Sequence, residues 1–203
     1  MAAAYQELVG DRKNVAIAMA GLPYSVSNLL NDSVLTFLNR AVRVELGLLS
    51  TNLIRAYYER AFKSIKVEVS DEMLDRAALS TRGFPYLMQL IGYYMIQYTP
   101  QGGVVSDKIM DKVEKAALGD MEDNVFKPIL NPLSDNDKIF LTALARCGVP
   151  ATTSRLQSEL GRKGPAIQPY RKRLIEAGVI EAPRRGELVF AVPYLSEYLR
   201  NMD

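Results

Sequence analysis

The 203-residue chain has no histidine, no tryptophan and a single cysteine, Cys147. Without an imidazole there is no histidine-based triad, and with one thiol there is no cysteine–histidine zinc site. One cysteine cannot form an intrachain disulfide, which suits a reducing compartment, so the chain is read as cytoplasmic. No apolar run approaches the roughly 20 residues of a spanning helix and no signal-peptide pattern leads the chain, so no membrane role is expected. The phosphate-loop pattern G-x-x-x-x-G-K-S/T is missing as well. The nearest cluster, "GRKG" at 161–164, lacks a preceding apolar strand and the hydroxyl that would hold magnesium. "VEVSDE" at 67–72 superficially matches an acidic strand end, but Ser-Asp-Glu at a helix start is better read as a cap. No paired carboxylates stand in an acid/base arrangement. The chain by itself is therefore expected to be no enzyme, with no metal and no cofactor of its own.

What is present is an ordinary globular balance, 48% hydrophobic and 24% charged, with no low-complexity tract. The net charge of +2 is unevenly spread. Residues 1–133 hold 14 Lys/Arg against 15 Asp/Glu, and residues 134–203 hold 11 against 8. Within 155–185 eight basic residues face three acidic ones. A basic segment of that size attracts phosphate, although a solvated surface is equally compatible.

Along the chain, 4–10 reads as the end of a helix closed by Gly10. "NVAIAMAGLP" (14–23) is a nearly continuous apolar run that suits a strand buried on both faces. A short helix at 32–41 and an alternating strand at 42–46 follow. Two strands are too few for a stable sheet, so 1–49 looks like the back part of a sheet domain. From Ser50 the pattern turns helical. Leu53, Ile54, Tyr57, Ala61 and Ile65 recur at helical spacing. Ser70 is a helix cap ahead of an apolar face of Met73, Leu74, Ala77 and Ala78. Leu87, Leu90, Ile91, Tyr94 and Tyr98 form the next stripe. Ser106 opens a helix with Ile109, Val113 and Ala117 inward, and "KPILNPLSDND" (127–137) is read as a linker.

The last seventy residues have a different grammar. Ser134 opens a helix carrying Ile139, Phe140, Leu144 and Ala145. A short helix at 152–161 ends at Gly161. A third, at 168–178, has Pro169 at its first helical position and Gly178 as its stop. Residues 179–193 read as strand, basic turn, strand, and 194–200 as a closing helix. Three helices followed by a hairpin is the winged helix-turn-helix plan. The fold class is thus mainly α with small β. Three parts are expected: 1–49, the back part of a sheet domain; 50–130, a helical part; and 131–203, a winged helix.

In a helix-turn-helix the second helix enters the major groove. On that reading Leu174 and Ala177 face the core, and Gln168, Tyr170, Lys172 and Arg173 face outward. Arg171 is partly buried. Gln can read adenine and Arg guanine through paired hydrogen bonds. Arg184 and Arg185 sit at the hairpin tip, able to meet phosphate or the minor groove. The expected partner is double-stranded DNA. The alternative is a regulatory or protein-docking module without nucleic acid, and a third possibility is self-association through an exposed sheet edge.

"VAIAMAGLP", "SVLTFLNRAVRVELGLLS", "EVSDEMLDRAALSTRGFPYLMQLIG" and a winged helix, in that order, resemble the C-terminal part of an AAA+/STAND-like ATP-binding protein. The likeness is to prokaryotic members related to the initiator and origin-recognition group, and it covers essentially the whole chain. It implies an intact parent that is an ATP-driven switch using ATP and magnesium, with the phosphate loop and acidic strand upstream of Met1. The chain is accordingly expected to be a fragment, with 1–49 a remnant of the nucleotide-binding core and 50–130 its helical lid. The resemblance puts Gly83 and Pro85 on the adenine side of the lid and Arg40 at an arginine-finger position for a neighbouring subunit. Both have plainer readings. Gly83 and Pro85 are good stereochemistry for a two-helix junction, and Arg40 is a favourable cation at a helix C-terminus. At Ala20 and Gly21 a phosphate-sensing polar residue is missing, and Tyr86 stands where many lids have an arginine.

Overall fold

Serines set the helix starts. Ser50, Ser70 and Ser106 each accept a hydrogen bond on their hydroxyl oxygen from the amide three residues on, at 3.3, 3.2 and 3.4 Å. Each satisfies one of the amides that a helix N-terminus leaves without an intrahelical partner. The computed structural model describes residues 2–19, 40–42, 44, 47–148 and 150–202. Its elements are α1 (Ala2–Gly10), α2 (Thr51–Ser64), α3 (Asp71–Ser80), α4 (Pro85–Tyr98) and α5 (Asp107–Met121). A π-helical turn (Glu122–Phe126) leads into α6 (Lys127–Leu130) and then α7 (Asp135–Arg146). After these come β1 (Ala151–Thr152), α8 (Thr153–Leu160), α9 (Gly164–Glu176), β2 (Ile180–Glu181), β3 (Glu187–Phe190) and α10 (Leu195–Asn201). The described residues are mainly helical, with one small sheet. No described helix is long and apolar enough to cross a membrane.

The chain forms two compact units: Leu46–Ala145 with Pro193–Asp203, and Met1–Glu45 with Arg146–Val192. In the first, α3 buries Met73, Leu74, Ala77 and Ala78, the face its spacing announces. Helix α2 is rotated from expectation. Ile54, Tyr58 and Phe62 are buried, whereas Leu53, Tyr57 and Ile65 are exposed. Tyr58 can go inward because its hydroxyl donates to the Met88 carbonyl at 2.6 Å, which removes the cost of burying an unpaired phenol. Tyr98 and Ile139 are likewise exposed rather than inward. Outside the core, Arg76 of α3 reaches Asp107, Asp111 and Glu114 on α5 at 3.2, 2.6 and 2.7 Å. Any one such exposed pair is worth about 0–1 kcal/mol. The shared guanidinium spreads its ordering cost over three.

Most of the expected linker at 127–137 is helical. Pro128 has no N–H, and a proline ring in a helix interior crowds the carbonyl four residues back. The π-helical turn precedes it, with the Lys127 amide bonding to the Glu122 carbonyl. The turn also resets the helix face, because Phe126 follows Met121 by five residues and both are buried. Only 131–134 separates this segment from α7, where the Asp137 amide donates to Ser134 Oγ at 3.3 Å.

In the second unit β1, β3 and β2 lie in that order, both pairings antiparallel, with Ala151 opposite Leu188 and Ile180 opposite Phe190. Ala151, Ile180 and Leu188 are buried on this sheet, as are Leu156 of α8 and Ile167 and Leu174 of α9. Gly161 ends α8 in the left-handed conformation, φ 60°, a backbone state that costs L-residues energy and glycine almost none. Helix α9 starts at Gly164, one turn before the expected 168, with Pro165 in its first turn and Pro169 inside it. Pro165 takes the early helical position where a missing N–H costs nothing, and Pro169 forfeits one bond in the next turn. Residues 179–193 form the expected strand, turn and strand.

The strands expected at 14–23 and 42–46 are not seen where the structure describes them. Residues 14–19 form no strand, and Val42 and Val44 are 91% and 75% exposed. Without neighbouring strands a lone apolar segment has no partner for its backbone groups. The rest of those two segments, and residues 32–39 of the short helix expected at 32–41, lie outside the described residues.

One glycine in the first unit is sterically fixed. Gly83 has φ +77°, and a Cβ there would meet the Leu49 carbonyl oxygen at 2.6 Å. Gly83→Ala is expected to destabilise the protein by roughly 2 kcal/mol in urea unfolding. Gly119→Ala, inside α5 with open space around it, should instead stabilise by about 0.5–1 kcal/mol.

Candidate nucleic-acid interface

Helix α9 carries Arg171, Lys172 and Arg173 among the basic residues of the second unit. Gln168, Lys172 and Arg173 are exposed, while Tyr170 and Arg171 are half-buried beside the inward Ile167 and Leu174. Gln168, Arg171 and Lys172 line one shallow depression together with Pro165, Pro169, Ile175 and Glu176. Lys172 leans toward Glu176 at 3.8 Å. Tyr170 lies on another side of the helix, expected outward but partly covered. Two guanidinium groups approach its ring, Arg173 at 5.1 Å and Arg162 at 5.8 Å from the centroid, within the range where a cation is drawn to an aromatic face. Arg162 belongs to the turn between α8 and α9. It was visible in the sequence only as one charge among eight, because its place depends on how Gly161 folds the turn.

Arg184 and Arg185 occupy the β2–β3 turn and are exposed. The Glu187 amide donates to the Arg184 carbonyl at 3.1 Å, with Gly186 at φ +84°, the arrangement of a type II turn, in which glycine relieves the third position. The Gly186 carbonyl accepts from the Thr153 amide at 2.8 Å and from the Thr153 hydroxyl at 3.1 Å. The hairpin tip is thereby fixed to the start of α8, and no described carboxylate forms an ion pair with Arg184 or Arg185.

The residues singled out in the first unit have a different setting. Gly83 is buried, and its carbonyl accepts from the Leu49 amide at 2.8 Å. Its own amide donates to Thr81 Oγ1 at 3.0 Å. Pro85 is exposed at the first turn of α4. Beside them Arg82, at φ 48°, donates to Glu197 at 2.6 Å and lies 3.6 Å above the centre of the Tyr194 ring. The Tyr194 hydroxyl donates to the Ser80 carbonyl at 2.8 Å. The α3–α4 turn is thus covered by the C-terminal segment that leads into α10, a pairing over more than a hundred residues that no local pattern shows. Arg40 is exposed. Among the described residues no group of histidine, cysteine or carboxylate side chains is placed to hold a metal ion.

Residues 123–199 match the family described as Domain of unknown function (DUF8462). No curated protein matches the chain. Solved structures of RuvB from Thermotoga maritima are similar to it. One, described as a Holliday junction branch migration motor, is 19% identical, with 77% of this chain and 50% of that one covered and a TM-score of 0.36. Two single-substitution variants of the same protein give 19% and 20% identity at TM-scores of 0.36 and 0.35, with the same coverage. The chain spans about half the length of the structures it matches. Likeness of that degree says nothing of activity.

The Arg82–Glu197 pair carries a pH signature. Burial pushes the Glu197 carboxyl up, but hydrogen bonds from Arg82 and Ser196 outweigh it and bring it down to about 2 from an ordinary 4.5. A carboxyl depressed in the folded state contributes stability that is complete above its unfolded value and disappears as pH falls through the folded one. Wild-type stability is therefore expected to fall more steeply than that of Glu197→Gln between about pH 4.5 and about 2. Urea unfolding of both proteins across that window measures the difference.

Proposed function

We propose that the chain is the output part of an ATP-driven switch, and that α9 and the β2–β3 hairpin bind double-stranded DNA. The observation that carries this is one of placement. Gln168, Lys172 and Arg173 on α9 and Arg184 and Arg185 at the hairpin turn are all exposed within one compact unit. The Thr153–Gly186 bonds give the tip a defined position, so the arginines are presented from a fixed turn. Lys and Arg on such a surface neutralise phosphates, and Gln168 and Arg173 have the donor sets that read base edges. Arg171, half-buried, contributes its charge near the helix surface, and Tyr170 supplies an aromatic wall for Arg173.

A second reading rests on the depression along α9. Pro165, Pro169 and Ile175 give it an apolar floor, and Lys172 and Glu176 give it both signs of charge. Such a surface suits a protein side chain as well as it suits a phosphate, so a regulatory docking module is the alternative.

On this reading ATP and magnesium belong to an intact parent, and the chain by itself is expected to turn over no ATP; turnover abolished by magnesium removal would contradict this. Pro85, exposed at the start of α4, is the residue of its pair able to meet an adenine, while Gly83 shapes the turn. Arg40, which is exposed, is assigned on this reading to a neighbouring subunit's nucleotide.

Fluorescence anisotropy with a labelled random duplex, titrated at low and moderate salt, tests the DNA reading. Wild type is expected to bind and to weaken as salt rises. Arg173→Ala/Arg184→Ala/Arg185→Ala should lower the log–log salt slope by roughly 2–3, since each phosphate contact contributes about 0.9. No binding at low salt, or equal binding by both proteins, would leave the docking module as the function of this surface.

A further inference from the structure

Two non-glycine residues with left-handed backbones lie stacked on each other in the first unit. Arg82 has φ 48° and Tyr194 φ 66°. Residues with a Cβ rarely hold such angles unless their surroundings impose them. Here each supplies the other's surroundings. The Arg82 guanidinium covers the Tyr194 ring at 3.6 Å and donates to Glu197 at 2.6 Å, and the Tyr194 hydroxyl donates to the Ser80 carbonyl at 2.8 Å. Tyr194 is also the residue from which α10 starts, without a side-chain cap of its own. The left-handed pair Arg82–Gly83 closes the α3–α4 turn, from which the Gly83 carbonyl accepts the Leu49 amide.

We propose that α10 is a releasable strap, locked by the Arg82–Tyr194–Glu197 clasp so that the C-terminal helix and the α3–α4 turn open together and neither opens alone. Leu195 and Leu199 bury one face of this seven-residue terminal helix and Tyr198 packs on Phe126 at 5.1 Å, whereas the clasp at its start is partly solvated, with Arg82 and Glu197 side chains 44% and 36% exposed, so the clasp is the attachment placed to open below the global unfolding free energy. The chain leaves β3 for the strap across Val192–Pro193, one of the three places where it passes between the hairpin-bearing unit and the helical one. Whatever reshapes the α3–α4 turn therefore changes how firmly the strap is held. The inference is independent of DNA binding, since none of the α9 or hairpin arginines takes part.

Amide-resolved hydrogen exchange by NMR on the full chain tests it. Coupling between two sites is reciprocal. Glu197→Gln, made in the strap, should speed exchange at Leu49, Gly83 and Phe84 in and beside the turn at least tenfold. Arg82→Ala, made in the turn, should do the same for the α10 amides from Tyr198 onward. Amides of α5 should keep their wild-type rates in both. Faster exchange confined to the substituted element overturns the proposal, and so does a parallel rise in α5, which would make α10 an ordinary part of one cooperative unit. Glu197→Gln alters a single group on a partly exposed side chain, so it keeps the test decisive should Arg82→Ala fail to fold.

Discussion

The helical unit depends on how the chain turns between α3 and α4. Gly83 lies against the Leu49 backbone so closely that no side chain fits, and the hydrogen bond from the Leu49 amide to its carbonyl brings the approach to α2 against this turn. On another side, Arg82 and Ser80 hold Tyr194 and Glu197. Three stretches far apart in sequence, at 48–49, 80–84 and 194–197, meet at one point. The apolar faces of α2, α3, α4 and α5 form the buried core of this unit, and burying apolar surface is the dominant favourable term in folding. The turn decides which way those faces are aimed.

Local chemistry was legible wherever one short-range interaction decides the outcome. Ser50, Ser70 and Ser106 begin helices because a hydroxyl three residues before an amide is the cheapest cap available, and Met73, Leu74, Ala77 and Ala78 are buried as their spacing requires. The rotation of α2 was not legible. Tyr57 and Tyr58 are adjacent and equally apolar, and the choice between them rests on the Met88 carbonyl, thirty residues away. Prolines misled twice for the same reason. Pro128 lies in a stretch that reads as a linker and Pro169 reads as a helix start, yet a π-helical turn precedes the first and the second gives up one bond inside α9.

The candidate interface was legible in part. Charge counting found the basic segment, and the hairpin placed Arg184 and Arg185 at a turn. The sequence could not show that Tyr170 is shared between Arg162 and Arg173, or that Arg171 and Lys172 border a depression with two prolines in it. Those facts come from the starting point of α9 at Gly164, which changes the helix's length but not its phase. The clasp on the α3–α4 turn was the least legible feature, since its partners, Arg82 and Glu197, stand 115 residues apart.

The π-helical turn at Glu122–Phe126 has a further consequence for comparing this chain with others. From Met110 to Met121 buried residues recur at steps of three and four, and the step from Met121 to Phe126 is five before four resumes at Leu130. One residue more than an α-helical turn has been accommodated without disturbing the buried face on either side. A counterpart with an uninterrupted helix would be one residue shorter here, and its alignment with this chain would need a single-residue gap inside a helix, where gaps are ordinarily penalised most. Forced together without it, every position from Phe126 onward would be compared with a neighbour from the wrong face.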